Sequence, residues 1–291
     1  MLEWVKIKGI YTYIFNKLLL NTEENSLREI NRWQSRILRT GIAPAAINLA
    51  FSPLDELTDI VIPKKWIDKA TLPVAKVIFD LQKISRKFAL EKSVLAIAKK
   101  GGIPLNKLAD LKEVPLEYKD VLAKSFFGKN VLYTTVQSLG LSTAGIASIL
   151  VDLPLIITQS LKLIFQTGAA YGYSPDTDEN KEFALRVFSI TIASGHEQEK
   201  QIKKIDCLIR DLAKQKFKRA SGVLASKKNT LSFAHSIVRG LFKKHIFREA
   251  LFLGIAVGTV LNYYFVKETS IYSYMFYRKR FLIEKKEGSK K

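Results

Sequence analysis

The sequence is short of the residues that build most covalent and metal chemistry. Its 291 residues include a single cysteine, Cys207, so no intramolecular disulfide forms, which fits a reducing compartment. The flanks I-D-C-L-I-R-D-L make Cys207 read as a helical core position. The three histidines, His196, His235 and His245, form no H-E-x-x-H pair, because Lys200 stands where the second histidine belongs. With so thin a ligand set, no metal site and no other cofactor is expected. The run from Asp176 to Asn180 opens like a calcium loop. It has Lys181 at the turn glycine and Val187 at the closing glutamate, so it is assigned to helix initiation. Also missing are G-x-x-x-x-G-K-[ST], a strand feeding G-x-G-x-x-G, and the G-x-S-x-G elbow. No enzyme is expected. Alternating strand pattern is absent as well, and the expected fold class is all-α. The first residues lack an uninterrupted apolar core and a small-residue cleavage site, so no signal peptide is expected and the basic surface is placed in the cytoplasm.

Acidic residues are scarce relative to basic ones. There are 27 Asp and Glu against 47 Lys and Arg, a net charge of +20. That balance favours an anionic partner: nucleic acid, a membrane surface or an acidic protein.

What the chain does have is long apolar stretches with small residues at regular spacing. Val131 to Val151 runs 21 residues without a charge, and Asp152 and Pro154 follow. Every fourth position there gives Gly140, Ala144, Ser148 and Asp152, about one helical turn apart. Near the C-terminus, Ala250, Gly254, Gly258 and Asn262 repeat the design inside 17 uncharged residues, Ala250 to Val266. Small ridges let helix backbones approach closely, so the expected core is two ridged helices, packed on each other or on unrelated neighbours. Asp152 and Asn262 are its polar groups. Asp152 reads as a cap for the helix entered at Pro154; a functional acid is the alternative. Tyr171 and Tyr173 are expected to pack in the core.

The run GLSTAGIASILVDLPLIITQSLKLIFQTGAAYGYSPD resembles the signature of the EcsC family: a glycine-rich helix, D-x-P, and a long helix ending in Y-G-Y. The later block from Leu253 to Leu282, with G-x-x-x-G, an asparagine and a closing basic Y-R-x-R, resembles that family's final motif. The resemblance covers roughly Ile62 to Glu284 and divides the chain into an N-terminal helical segment, 1–61, and an EcsC-like domain, 62–291. It implies a helical fold. The family takes its name from a bacterial protein encoded beside an ABC transporter and has no agreed catalytic residues, so the resemblance implies a membrane-related role rather than a reaction.

Along the chain, Trp4 to Leu20 reads as an amphipathic helix. A second helix follows the candidate cap Thr22 and stops at Gly41. Prolines 44, 53, 63 and 73 are read as breaks between short helical pieces. Val74 to Lys100 reads as one helix ended by Gly101 and Gly102, and Asn106 to Phe127 as two short helices around Pro115. Later helices are expected to start at Ser174-Pro175 and to span Gln198 to Arg219, Ser232 to Phe247, Ala250 to Val266 and Ser270 to Lys286.

Between Lys200 and Arg248 there are 14 Lys and Arg against Asp206 and Asp211. Lys214, Lys216, Lys218, Arg219, Lys227, Lys228, Lys243 and Lys244, with Arg278, Lys279 and Arg280 of the last helix, are the candidate lipid- or anion-binding residues. Aromatic neighbours suit insertion beside headgroups. No zinc-finger, RNA-recognition or helix-turn-helix signature accompanies them, which makes nucleic acid the poorer partner. Val131 to Val151 is long enough to span a bilayer but carries seven Ser, Thr and Gln side chains, so peripheral contact is expected and an integral hairpin is an alternative. The expected role is non-catalytic, at the cytoplasmic face of a membrane, with anionic lipid or a membrane protein such as an ABC transporter as partner. The other class is a hydrolase or lipid-modifying enzyme using Asp152 with Asn262.

Overall fold

A computed structural model describes residues 23–38, 64–81, 90–103, 105–138, 145–218, 222–251 and 257–290. Within them, the side chains of 90, 128–152, 244–251 and 257–264 lie outside the description. The chain forms two compact units, 1–48 and 49–291. In the first, helix α1 (residues 23–38) buries Ser26, Ile30, Gln34 and Ile37, a stripe at helical spacing.

In the second unit the described residues are helical and include no strand. The helices are α2 (Lys64–Phe79), α3 (Leu90–Lys100), α4 (Leu116–Ser138), α5 (Gly145–Ala170), α6 (Asp178–Ile192), α7 (Gly195–Ala213), α8 (Lys227–Leu251) and α9 (Val257–Gly288). Short 3₁₀ turns, Leu108–Glu113 and Val223–Ala225, precede α4 and α8.

Helix α9 is the axle. It packs on α4, α5, α6 and α7, and from Phe265 to Leu282 it is buried on nearly every side. Direction follows from paired contacts. Arg278 meets Asp120 and Tyr274 meets Phe127, so α4 runs antiparallel to α9. Tyr272 meets Gln198 and Lys279 meets Asp206, so α7 runs parallel to it. Burial of hydroxyl-bearing residues in the axle is possible because each one bonds its own helix. Thr269 Oγ1 donates to the Phe265 carbonyl (2.8 Å), Ser270 Oγ to Val266 (2.8 Å) and Ser273 Oγ to Thr269 (2.5 Å). Outside this bundle α2 packs on α8, with Trp66 and Phe242 rings 6.4 Å apart.

Several boundaries differ from the sequence expectation. Pro73 lies inside α2 rather than at a break. A proline removes one backbone donor, and burial of Ile67, Ala70, Val74, Ala75 and Ile78 on one face carries the helix through it. Helix α3 ends as expected, with Gly102 left-handed at φ 82° and Ile103 N–H returning to the Ala98 carbonyl. Pro175 does not open α6. Thr177 caps it instead, its Oγ1 accepting from Asn180 N (3.3 Å), with Asp178 and Glu179 in the positive first turn. Helix α7 stops at Ala213, so the basic run 214–218 is an extended loop rather than helix. The expected helix at Ser270 is the second half of α9, which begins at Val257. Asp152 sits inside α5, in the turn before Pro154, so it is not the cap of a new helix.

Candidate functional site

Four consecutive residues of α9, Tyr277 to Arg280, hold the bundle together. Tyr277 packs tilted against the rings of Tyr173 (5.7 Å) and Phe183 (4.8 Å) and lies over Gly168 of α5. A methyl group at Gly168 would fall 2.6 Å from the Tyr277 ring, so only glycine admits this approach. Arg278 Nε stands 3.0 Å from Asp120 Oδ2, and Tyr171 donates its hydroxyl to Asp120 Oδ1 at 2.6 Å. Lys279 donates to Asp206 of α7 at 2.7 Å. Arg280 bonds Glu284 (2.7 Å) and lies 4.0 Å from the Tyr173 ring, while Tyr173 donates to the same Glu284 (2.9 Å). Nearby, the fully buried Lys119 donates to the carbonyls of Lys112 and Val114 and faces the Phe281 ring at 3.6 Å.

Titration in this cluster follows from burial. Desolvation pushes Asp120 above the ordinary aspartate range, against the Tyr171 hydrogen bond and the Arg278 charge, which lower it. Tyr171 and Tyr173 are driven well above the usual tyrosine range, first by burial and then by Asp120 and Glu284 respectively. Both phenols therefore remain donors. Gly172 between them is left-handed at φ 85°, and Tyr173 N–H returns to the Gly168 carbonyl (3.0 Å), a Schellman close that turns both rings inward.

On the outer side of α6 and α7 lies a groove of about 770 Å³. Arg186, Lys203, Lys204, Lys216 and Lys218 line it against two carboxylates, Glu182 and Asp211. Glu182 is 4% exposed; its Oε1 accepts from Arg186 Nε (2.8 Å) and its Oε2 from Val223 N (2.7 Å). Glu182 thereby fixes the guanidinium at the groove wall and ties α6 to the turn before α8.

The sequence model of the EcsC protein family matches residues 24–282. The chain belongs to that family. A relative, the uncharacterized protein YdbA of Bacillus subtilis (strain 168), is 26% identical over 170 residues, a segment that spans 57% of this chain and 61% of the relative. No solved structure matches. The EcsC match also takes in α1, which the sequence reading set apart. The two EcsC blocks, about a hundred residues apart in sequence, meet in the cluster just described: Gly168, Tyr171 and Tyr173 from the first, Tyr277 to Arg280 from the second.

The candidate anion-binding residues divide accordingly. Lys214, Lys216, Lys218, Lys227 and Lys228 are exposed, and Lys243 is half-buried. Arg278, Lys279 and Arg280 are not surface groups: they are at most 9% exposed and face Asp120, Asp206 and Glu284. Those acids lie on three helices, and only Glu284 is near in sequence, so a basic run reads as a surface until the fold is known. Cys207 is exposed rather than in the core. The buried stripe of α7 is Ile202, Ile205 and Ile209, and a residue two beyond Ile205 points about 200° away. Tyr171 and Tyr173 are core residues as expected, at 0% and 4% exposure. Arg219, Gly140, Ala144 and Gly254 lie outside the described residues, as do the side chains of Ser148, Asp152, Lys244, Gly258 and Asn262. The buried partners Lys119 and Asp120 were missed. Their one signal is a lysine–aspartate pair in an otherwise ordinary helix start.

Proposed function

We propose that this EcsC protein is a non-catalytic, peripheral protein that binds an anionic membrane surface on the cytoplasmic side. The observation that carries the reading is the exposure of Lys214, Lys216 and Lys218 in the loop after α7, and of Lys227 and Lys228. The last two occupy the first turn of α8, which Ser226 caps through Asn229 N (3.1 Å). Cations at a helix N-terminus oppose its dipole, and an anion docked there offsets that penalty. At the far end of α9, Lys214 and Lys286 act on Glu287, whose carboxyl is held below its ordinary range chiefly by the Lys290 hydrogen bond. Lys214 and Lys286 thus both act at that end of the bundle.

Each exposed lysine near an anionic leaflet contributes about 1 kcal/mol, attenuated by salt. Several together hold a protein at a surface without a span, and no helix among the described residues is long and apolar enough to cross a membrane. The test is sedimentation with phosphatidylglycerol vesicles, comparing the chain with its Lys214→Gln, Lys216→Gln, Lys218→Gln triple variant. The expected outcome is a clear drop in the bound fraction with an unchanged melting temperature. Equal binding by both proteins rejects these lysines as the contact.

A further inference from the structure

The groove beside α7 has features that an exposed row of lysines lacks. Arg186 is partly buried and its Nε is taken by Glu182, so the guanidinium plane is set before any ligand arrives. The carboxylate that sets it is anchored from behind by the Val223 amide. Lining the same groove, Lys204 of α7 and Lys216 of the loop have no acid partner among the described residues. An oriented guanidinium in one groove with two lysines matches a tetrahedral oxyanion, which takes a forked pair from arginine and point charges from lysine. The volume, about 770 Å³, is that of a small-molecule site. Phe217 adds an apolar wall.

We infer that this groove is a binding site for a phosphate monoester or pyrophosphate group, held by Arg186, Lys204 and Lys216. The proposal deepens the surface reading and rests on it only for the source of the phosphate, which is either a lipid headgroup presented by a leaflet or a free phosphate compound. Cys207 lines the same groove and is the chain's one thiol, so it reports occupancy directly.

The experiment measures the rate at which a neutral maleimide labels Cys207 in the full-length chain. Labelling is followed with inorganic pyrophosphate, with phosphatidic acid vesicles, and with phosphatidylglycerol vesicles, whose phosphate is a diester. Pyrophosphate and phosphatidic acid are expected to slow labelling, and phosphatidylglycerol to do so much less. Arg186→Gln is expected to weaken pyrophosphate protection about tenfold, the loss of one charge-assisted pair. Lys204→Gln, on an exposed position that leaves Glu182 undisturbed, provides the same test should Arg186→Gln fold poorly. Protection by phosphatidic acid alone assigns the site to a lipid headgroup, and protection by both assigns it to phosphate esters in general. If neither protects while vesicle sedimentation persists, the groove proposal is overturned and the surface reading stands. If pyrophosphate protects and no vesicle binds, the groove stands and the membrane reading falls.

Discussion

At the scale of single residues, Asp120 and Gly168 carry the most specific consequences. Asp120 is faced by Tyr171, Arg278, Tyr274 and Lys124, and burial dominates, so its folded-state pKa lies above the ordinary 3.8. A raised folded-state value means that folding binds the proton more tightly than the unfolded chain does. The group's contribution to stability is then fully present below pH 3.8 and is lost as pH rises through the raised midpoint. Asp120→Asn does not titrate. Its stability deficit relative to the parent is therefore expected to narrow as pH rises through that window, in urea melts taken at a series of pH values. A deficit that widens with pH contradicts the dominance of burial. Gly168→Ala places a methyl group against the Tyr277 ring, and overpacking of this kind costs about 1–3 kcal/mol. A drop of that size in unfolding free energy is the expected result; a neutral substitution means the two helices separate freely. Neither consequence was legible from the chain alone. Gly168 is one of several small residues in α5, and Asp120 is one acid among 27; their importance comes from partners distant in sequence, Tyr171 being 51 positions from Asp120 and Arg278 and Tyr277 farther still.

Among the elements, helix type was legible and most helix ends were not. The glycine stop of α3 was read correctly because it is a local signal. Pro73 and Pro154 were read as breaks because propensity was weighed without the burial that overrides it. The end of α7 is set by a close that sequence hides: Gln215 is left-handed at φ 57°, and Lys216 N–H returns to the Asp211 carbonyl at 2.7 Å. Glycine relieves that conformation, so Gln215→Gly is expected to stabilise the chain by about 0.5–1 kcal/mol in chemical denaturation. A loss of stability contradicts this account of the helix end. At its C-terminal close α5 meets α9 through Gly168 and Tyr277, with Tyr171 against Phe281 and Tyr173 against Glu284 just beyond.

For the whole molecule, net charge and its use are separate matters. A charge of +20 raises an anionic partner as a question, but it does not say which cations are accessible. The structure divides them. Arg278, Lys279 and Arg280 neutralise acids inside the bundle. Removing Arg278 takes the guanidinium from the buried Asp120 carboxylate, at a cost of about 3–5 kcal/mol. Lys214, Lys216, Lys227, Lys228 and Lys286 are exposed, and in the proposed function they are the cations that meet a leaflet. The measurement that tests this most directly is flotation of the purified chain with phosphatidylglycerol and with phosphatidylcholine liposomes, at low and high salt, followed by an alkaline wash. The account predicts flotation on the anionic liposomes only, reversed by salt. Flotation that survives both salt and alkali, or none on anionic liposomes, contradicts it.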